Sequence, residues 1–342
     1  MKISRRQALA GLAGAPALLS FGRTGFAQPA ATTLKISHQF PGGTIEQGDF
    51  RDRLCRLFAR EVEKRTNGAL KFEIYANSSL MKTNAQFSAM RKGALDMSLY
   101  PLPYAGGELH ACNLGLMPCL VTSYEQGARW KGAPIGKALS KILEDKGIKF
   151  IAWVWQAGGI ASRRNPVLGP ADVKGLTIRG GSRETDMMFA AAGARVSTMP
   201  SNEIYIGMQT SALDAAVTSS TSLISFRLEE LAKSLTAARK GSFWFMLEPL
   251  LMSKAVFDSL PAAQQQVLLE VGAEMEAWGT AEAHRDDDQV AAVYGAKGCQ
   301  VTDFSADHLA QWRKIAEESA WADYAAKSAE AAELLKLARD VS

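Results

Sequence analysis

Arg179 stands where a short apolar run ends. Leu176-Thr177-Ile178 reads as a strand, Arg179 closes it, and Gly180-Gly181-Ser182 turns the chain at once. An arginine so placed offers a fixed fork of N–H donors to a carboxylate, and the glycines remove side-chain bulk around it. Hydroxyls gather downstream at Thr218-Ser219-Ser220-Thr221-Ser222, each able to donate to a carboxylate or to cap a helix before Leu223. This is the chemistry of binding. Gly180-Gly181-Ser182 runs into Arg183 and Glu184, which breaks the nucleophile-elbow pattern. His-Glu-x-x-His, a phosphate loop and a dinucleotide fingerprint are missing, so no catalytic residue, metal ligand or cofactor is assigned. His284-Arg-Asp-Asp-Asp288 lacks a metal-loop spacing and reads as a solvated helix face, and Arg183 beside Glu184 reads as solvent-facing.

The elements that must position Arg179 alternate between strand and helix. Leu34–His38 reads as a first strand, followed by a helix through Lys64 that stops at Thr66-Asn67-Gly68. Lys71–Tyr75 alternates polar and apolar residues as a half-buried strand should. A helix over Asn84–Lys92 ends at Gly93, and Leu95–Leu99 is the next strand, an order that predicts a largely parallel sheet. Phe150–Trp155 reads as one apolar strand, and Ile178, Val196 and Leu213–Val217 as strands of a second α/β unit. Ser242–Leu247 and Pro249–Ser253 return to strand patterning. From Pro261 to Ala296 the spacing predicts a single helix, long enough to run along two domains.

Met1–Leu9 is a basic start that leads into a small-residue apolar run from Ala8 to Phe21, with Gly25-Phe26-Ala27 as a cleavage site. The run is short of the roughly 20 residues of a membrane span. Residues 1–27 therefore read as an export signal cleaved near Ala27, by either the ordinary secretory or the twin-arginine route, since Arg5-Arg6 follows Ser4. Lys2, Arg5, Arg6 and Arg23 lie in this leader with no acid, which accounts for the whole formal charge of +4. The remaining chain is neutral and gives no reason to expect a nucleic acid or an anionic membrane as a partner. Cys55, Cys112, Cys119 and Cys299 form no ligand cluster with the four histidines. Cys55 lies in an amphipathic helix pattern and is expected to pack as a small apolar residue. Cys112 and Cys119 either bridge the loop between them or stay free.

Several segments share one family resemblance. Gly93-Ala-Leu-Asp-Met97, Pro170-Ala-Asp-Val-Lys-Gly-Leu-Thr-Ile-Arg179 and Ala192-Gly-Ala194 are followed by Met199-Pro-Ser-Asn-Glu-Ile-Tyr205, Met208-Gln-Thr-Ser-Ala-Leu-Asp-Ala215 and Phe257-Asp-Ser-Leu-Pro261. In this order and spacing the chain resembles the DctP-type solute-binding proteins of tripartite ATP-independent periplasmic (TRAP) transporters. The resemblance covers essentially all of the chain after the leader. It implies an α/β, two-lobed periplasmic-binding-protein-like fold with a long helix spanning both lobes. The first lobe would hold residues 28–151 and 241–279, the second 152–240 and 280–342. It also implies a monomeric periplasmic receptor, without cofactor, that delivers a small organic acid to membrane permease subunits.

The same resemblance places the ligand clamp at Arg179. A second arginine found in sugar-acid-binding members falls here at Gly158 or Gly159, which implies one cation fewer and more room, with Arg164 as a candidate replacement. An asparagine that helps hold the carboxylate becomes Thr218, with Ser219 beside it. Trp155, Tyr100 and Trp244 fall where the family cleft lies and could stack on a ring, although core packing is the commoner role of such residues. His38 at the end of the first strand reads equally as a polar contact or as a structural histidine. Together these point to a monocarboxylate, aromatic or branched, such as a 2-hydroxy or 2-oxo acid. An exported enzyme acting on a carboxylate or ester, or a receptor feeding a signalling partner, stays open as the alternative.

Overall fold

The computed structural model describes residues 31–341; the leader assigned to residues 1–27 lies outside the described residues. Twelve strands run in chain order as β1 (Thr32–Ser37), β2 (Leu70–Tyr75), β3 (Met97–Leu99), β4 (Ile148–Ala152), β5 (Trp155–Ser162), β6 (Thr177–Arg179), β7 (Arg195–Val196), β8 (Ala215–Ser219), β9 (Ser234–Ala237), β10 (Phe245–Leu247), β11 (Leu250–Ser253) and β12 (Gln300–Asp303). They form two sheets and two lobes. The first sheet has the order β2-β1-β3-β11-β4, the second β12-β9-β5-β8-β6-β7, with β10 also paired to β5. The sheets are mixed and not largely parallel. In the first, β1 runs parallel to β2 and β3, but β11 enters antiparallel between β3 and β4. In the second, β5 is antiparallel to β8, β9 and β10. The antiparallel members, β5 and β11, each follow a crossing of the chain between the sheets, which the local βαβ order could not show.

The early helices are α1 (Phe50–Arg65), α2 (Gln86–Arg91), α3 (Tyr124–Trp130) and α4 (Pro134–Asp145). α1 begins at Asp49, whose side chain accepts from Arg51 N, and it buries one face through Leu54, Cys55, Phe58 and Val62. α5 (Arg183–Ala191), α6 (Ile204–Gln209) and α7 (Ser220–Ser225) cover the second sheet, and α8 (Lys254–Ser259) precedes α9 (Ala262–Ala296). α10 (Ala306–Ala316), α11 (Ala322–Ala326) and α12 (Ala329–Arg339) close the chain. α9 rises about 52 Å at 1.5 Å per residue and packs on α1 and β4 as well as on β5, β9 and α7. It lies tight on the first sheet at Gly272, where a Cβ would collide with the Ile151 carbonyl.

The Phe150–Trp155 run is two strands. β4 ends at Ala152 and β5 begins at Trp155, so Trp153 and Val154 make the crossing between sheets. The return crossing, Glu248-Pro249, lies beside it, with Glu248 N donating to Val154 O at 2.7 Å. Two adjacent crossings and one shared helix are the whole covalent link between the sheets. All four cysteines are free, so Cys112 and Cys119 do not bridge. A core of two large apolar clusters holds the chain without that staple. The face read as solvated at His284–Asp288 is partly buried: Asp287 accepts from Tyr124 Oη at 2.6 Å, and burial pushes its pKa up to about 7.

Candidate functional site

β6 lies between β7 and β8, and Ile178 anchors it in the core. Arg179 at its end is 1% exposed. The turn that follows is fixed on all sides. Gly180 N donates to Asp186 Oδ1, Gly180 O accepts from Trp244 Nε1 at 2.9 Å, and Ser182 caps α5 by accepting from Thr185 N. Gly181 has φ +97°, and a Cβ there would stand 2.6 Å from Arg179 Nη1. Only glycine meets both demands.

The guanidinium of Arg179 donates from Nε to Met199 O at 3.0 Å, from Nη1 to Val217 O at 2.9 Å and from Nη2 to Tyr104 Oη at 2.8 Å. Tyr104 reaches it from a 3-10 turn, Leu102–Ala105, that follows β3, so the contact joins the two lobes. None of these partners is charged, and no carboxylate among the described residues pairs with Arg179. A guanidinium has five N–H groups. Three are used, leaving one on each terminal nitrogen, the pair that an end-on carboxylate takes. Tyr104 Oη accepts from both Arg179 and Ser201 N, which leaves its own proton to donate. A cavity of about 360 Å³ opens beside this group, lined by Tyr104, Asn113, Gly181, Arg183, Met199 and Pro200.

A second buried arginine, Arg51, was not foreseen. It lies on the apolar stripe of α1, spaced with Leu54, Cys55, Phe58 and Val62, and that position was the readable signal. Its Nε and Nη2 donate to the two oxygens of Asp49 at 2.9 and 2.7 Å, and its Nη1 contacts Ser219 Oγ, Ser222 Oγ and Glu248 Oε2. The guanidinium also sits 3.7 Å above the Phe40 ring. Glu248 interrupts the apolar run between β10 and β11, and its Oε2 also accepts from Gln156 Nε2. Burial pushes Glu248 up to about 7 although Arg51 pulls it down. Glu248 Oε1 and Gln156 Oε1 are buried and have no hydrogen-bond partner.

The other predicted positions divide. Ser219 both caps α7, accepting from Ser222 N, and meets Arg51. Thr218 is buried next to it, but alternation along β8 sends the two side chains to opposite faces. His38 is fully buried with Nε2 3.1 Å from Asp52 Oδ1, while its Nδ1 is unpartnered. Hydrogen bonds from His38 and Arg56 hold Asp52 below its ordinary pKa against the opposing effect of burial. Tyr100 is buried edge-on to Tyr104 at 6.1 Å, one ring removed from Arg179. Trp244 is adjacent to the Arg179 turn through its bond to Gly180 O.

Three expectations are corrected. Arg164 is 68% exposed and pairs with Asp214, so it replaces no buried cation. Trp155 packs edge-on to Trp130 at 5.2 Å and over Gly127, which is core packing. Gly158 and Gly159 open no room. A Cβ at Gly158 would strike the Trp244 ring and come 2.6 Å from Thr218 O, and one at Gly159 would strike Thr236 O. Gly158 makes room for the Trp244 ring, and Gly159 for the backbone of β9. Arg183, half exposed, pairs with Asp323 and Glu184.

Two lobes joined by two adjacent crossings, with a buried arginine at the contact between them, are the architecture of a two-lobed solute-binding protein. Residues 46–328 match bacterial extracellular solute-binding protein family 7, DctP, and the chain belongs to that family. A solute-binding protein of Albidiferax ferrireducens is 59% identical over 98% of this chain and 99% of its own. The C4-dicarboxylate-binding periplasmic protein DctP of Rhodobacter capsulatus is 27% identical over 91% of each chain. The crystal structure of a TRAP periplasmic solute-binding protein from Rhodoferax ferrireducens with bound malonate superposes with a TM-score of 0.89, at 61% identity, covering 90% of this chain and 98% of that one. The family is one of solute-binding receptors of TRAP transporters. No helix of the described residues is long and apolar enough to cross a membrane.

Proposed function

We propose that this chain is a periplasmic receptor that closes its lobes on a small monocarboxylate, an aromatic or branched acid, and delivers it as a monomer to TRAP permease subunits. The observation that carries this is the buried Arg179, which has three neutral partners and one N–H left on each terminal nitrogen. A buried cation without an ion-paired acid is costly, on the order of several kcal/mol, and Asp186, held by Gly180 N and Thr198 Oγ1, offsets Arg179 only from a distance. A ligand carboxylate supplies the paired anion, and closure brings Tyr104 onto the same guanidinium. Affinity then comes from the closed state's better contacts. The malonate-bound relative at 61% identity supports an acid as the ligand class. In this reading the lobes divide at residues 151/152, 240/241 and 279/280, Ser219, Thr218 and Trp244 border the acid, and residues 1–27 export the chain.

Titration calorimetry of the chain after the leader against a panel of organic acids tests the reading. We expect one or more monocarboxylates to bind, and Arg179→Ala to weaken binding on the order of a hundredfold or more with an unchanged circular dichroism spectrum. Equal binding by Arg179→Ala, or indifference to every acid, would sink it.

A further inference from the structure

A cavity of about 400 Å³ opens where α3 meets the C-terminal helices, and it shares no lining residue with the cavity beside Arg179. Arg129 of α3, Arg313 of α10, Trp321 and Arg339 of α12 line it, with Leu120 and Val341 beside them, and its lining holds no acid. Its walls are fixed. Trp321 is buried, and its Nε1 donates to Pro118 O at 2.8 Å. Gln126 Nε2 donates to Leu120 O at 3.0 Å and to Val341 O at 2.7 Å, which ties α3 to the end of the chain. The guanidinium groups of Arg313 and Arg339 both lie over the Trp321 ring, 5.3 and 5.6 Å from its centre. A guanidinium held through its face keeps its N–H groups, which lie in its plane, for another partner. Arg313 uses its Nε on Glu317 Oε1 at 2.9 Å, whereas Arg339 forms no ion pair among the described residues. Asp340 borders a neighbouring hollow with Arg129 and does not line this one.

We propose that this cavity is a second binding site, for a small oxyanion of two or more negative charges, of the phosphate or polycarboxylate type. A hollow lined by one sign of charge and walled by apolar groups focuses the field and gathers counter-ions. Here three cations converge in a chain that is neutral after the leader, so the concentration is local. The arginine forks match the oxygens of either anion type. A single charge would leave cations in excess, and a concave site walled by Trp321, Leu120 and Val341 suits a small molecule better than a flat acidic surface. α10 packs on α5, whereas α3 and α12 pack on α4. A bound anion therefore ties α10 to α3 and α12 and stabilises their arrangement. The site stands apart from the carboxylate-receptor reading and does not depend on it.

The test is calorimetry and thermal melting of the wild-type chain and of Arg179→Ala with inorganic phosphate, citrate and acetate in low-salt buffer. Arg179→Ala separates this cavity from the carboxylate cleft. The expected result is saturable binding of phosphate or citrate that Arg179→Ala retains in full, with a raised thermal midpoint and acetate at least about tenfold weaker. Sodium chloride should weaken it, because Arg313 is half exposed and its field is screened. Arg313→Gln and Arg339→Gln should each lower the affinity at least about fivefold, and the double variant should abolish it. Where a glutamine variant fails to fold, Arg339→Lys keeps the charge, removes the fork and should still weaken binding. Saturation by neither phosphate nor citrate, binding that survives the double variant, or acetate bound as tightly as citrate would overturn the proposal. So would capture of a polyaspartate peptide where both small anions fail, since that marks a protein partner. Each of these outcomes leaves the receptor reading as it stands, because that reading is decided by the cleft ligand and Arg179.

Discussion

Arg51 on α1 and Arg179 at the end of β6 are both buried and both reach β8, yet Arg51 forms ion pairs with two acids while Arg179 forms none and feels only the more distant Asp186. Arg51 serves the fold, since its two acids and two serines bind α1, the second crossing and the start of α7 into one network. Arg179 has neutral partners that orient it without cancelling its charge. Burial alone therefore does not mark a binding residue. In the reading proposed above, Arg179 is set apart by a geometry fixed through neutral dipoles and by the absence of an ion-paired acid among the described residues.

The largest expected effect breaks the pair apart. Arg51→Met leaves Asp49 and Glu248 buried without their cation, and such a loss costs about 3–5 kcal/mol. Arg179→Met abandons no ion-paired acid but leaves the Met199 and Val217 carbonyls without their donor, so its loss should be smaller, about 1–3 kcal/mol. Urea melts of both variants check this directly. Equal losses would show that Arg179 also holds the fold together.

A pH series sharpens the same contrast. Burial raises Glu248 from 4.5 to about 7, and likewise Glu184 from 4.5 to about 7 and Asp287 from 3.8 to about 7. Groups whose folded pKa is raised bind more protons folded than unfolded, so stability falls as pH rises from about 4.5 to about 7 and levels off above. Asp52 has the opposite sign: its stabilisation is present above its ordinary 3.8 and is lost as pH falls further. The thermal midpoint should therefore peak in mildly acidic buffer, and Glu248→Gln should flatten the descent toward pH 7. A midpoint that climbs steadily to pH 7 contradicts the burial of these acids.

Gly181→Ala should have an intermediate effect. It combines a left-handed backbone with a Cβ 2.6 Å from Arg179 Nη1, which should cost about 1–2 kcal/mol of stability. It should also lower carboxylate affinity, because the guanidinium must move. Chemical denaturation and calorimetry on the same variant separate the two losses. Lost stability with full affinity would mean that the turn matters and the guanidinium does not move.

The alternation of strand and helix, the 35-residue α9 and the position of Arg179 were legible because each depends on local pattern. The antiparallel entry of β5 and β11 was not, since each follows a crossing between the sheets and pairs with strands distant in sequence. Gly158 shows the same limit within the site. Its missing side chain looks like space until Trp244, 86 positions later, is found lying on it. Tyr104 escaped notice because a tyrosine in a Leu-Pro-Tyr-Ala turn has no periodic signature, and only the contact between the lobes brings it to Arg179. Arg51 had a signature, a charge on the apolar stripe of α1, but nothing local showed which acids it would meet.

Arg164 supplies the smallest effect and the cleanest control. Had it replaced the second arginine of sugar-acid-binding relatives, its removal would cost affinity. In the structure it lies near the start of the loop after β5, is 68% exposed and pairs with Asp214 at 3.1 Å. Exposed pairs of this kind are screened by solvent, and the median contribution is small. Arg164→Ala should change stability by less than about 0.5 kcal/mol and leave carboxylate affinity within error of the wild type. Because Asp214 also accepts from Thr177 N at the start of β6, it keeps a partner when the arginine is gone. A clear loss of affinity in this variant would mean that the loop after β5 folds into the cleft when ligand is bound, and that Arg179 shares its carboxylate.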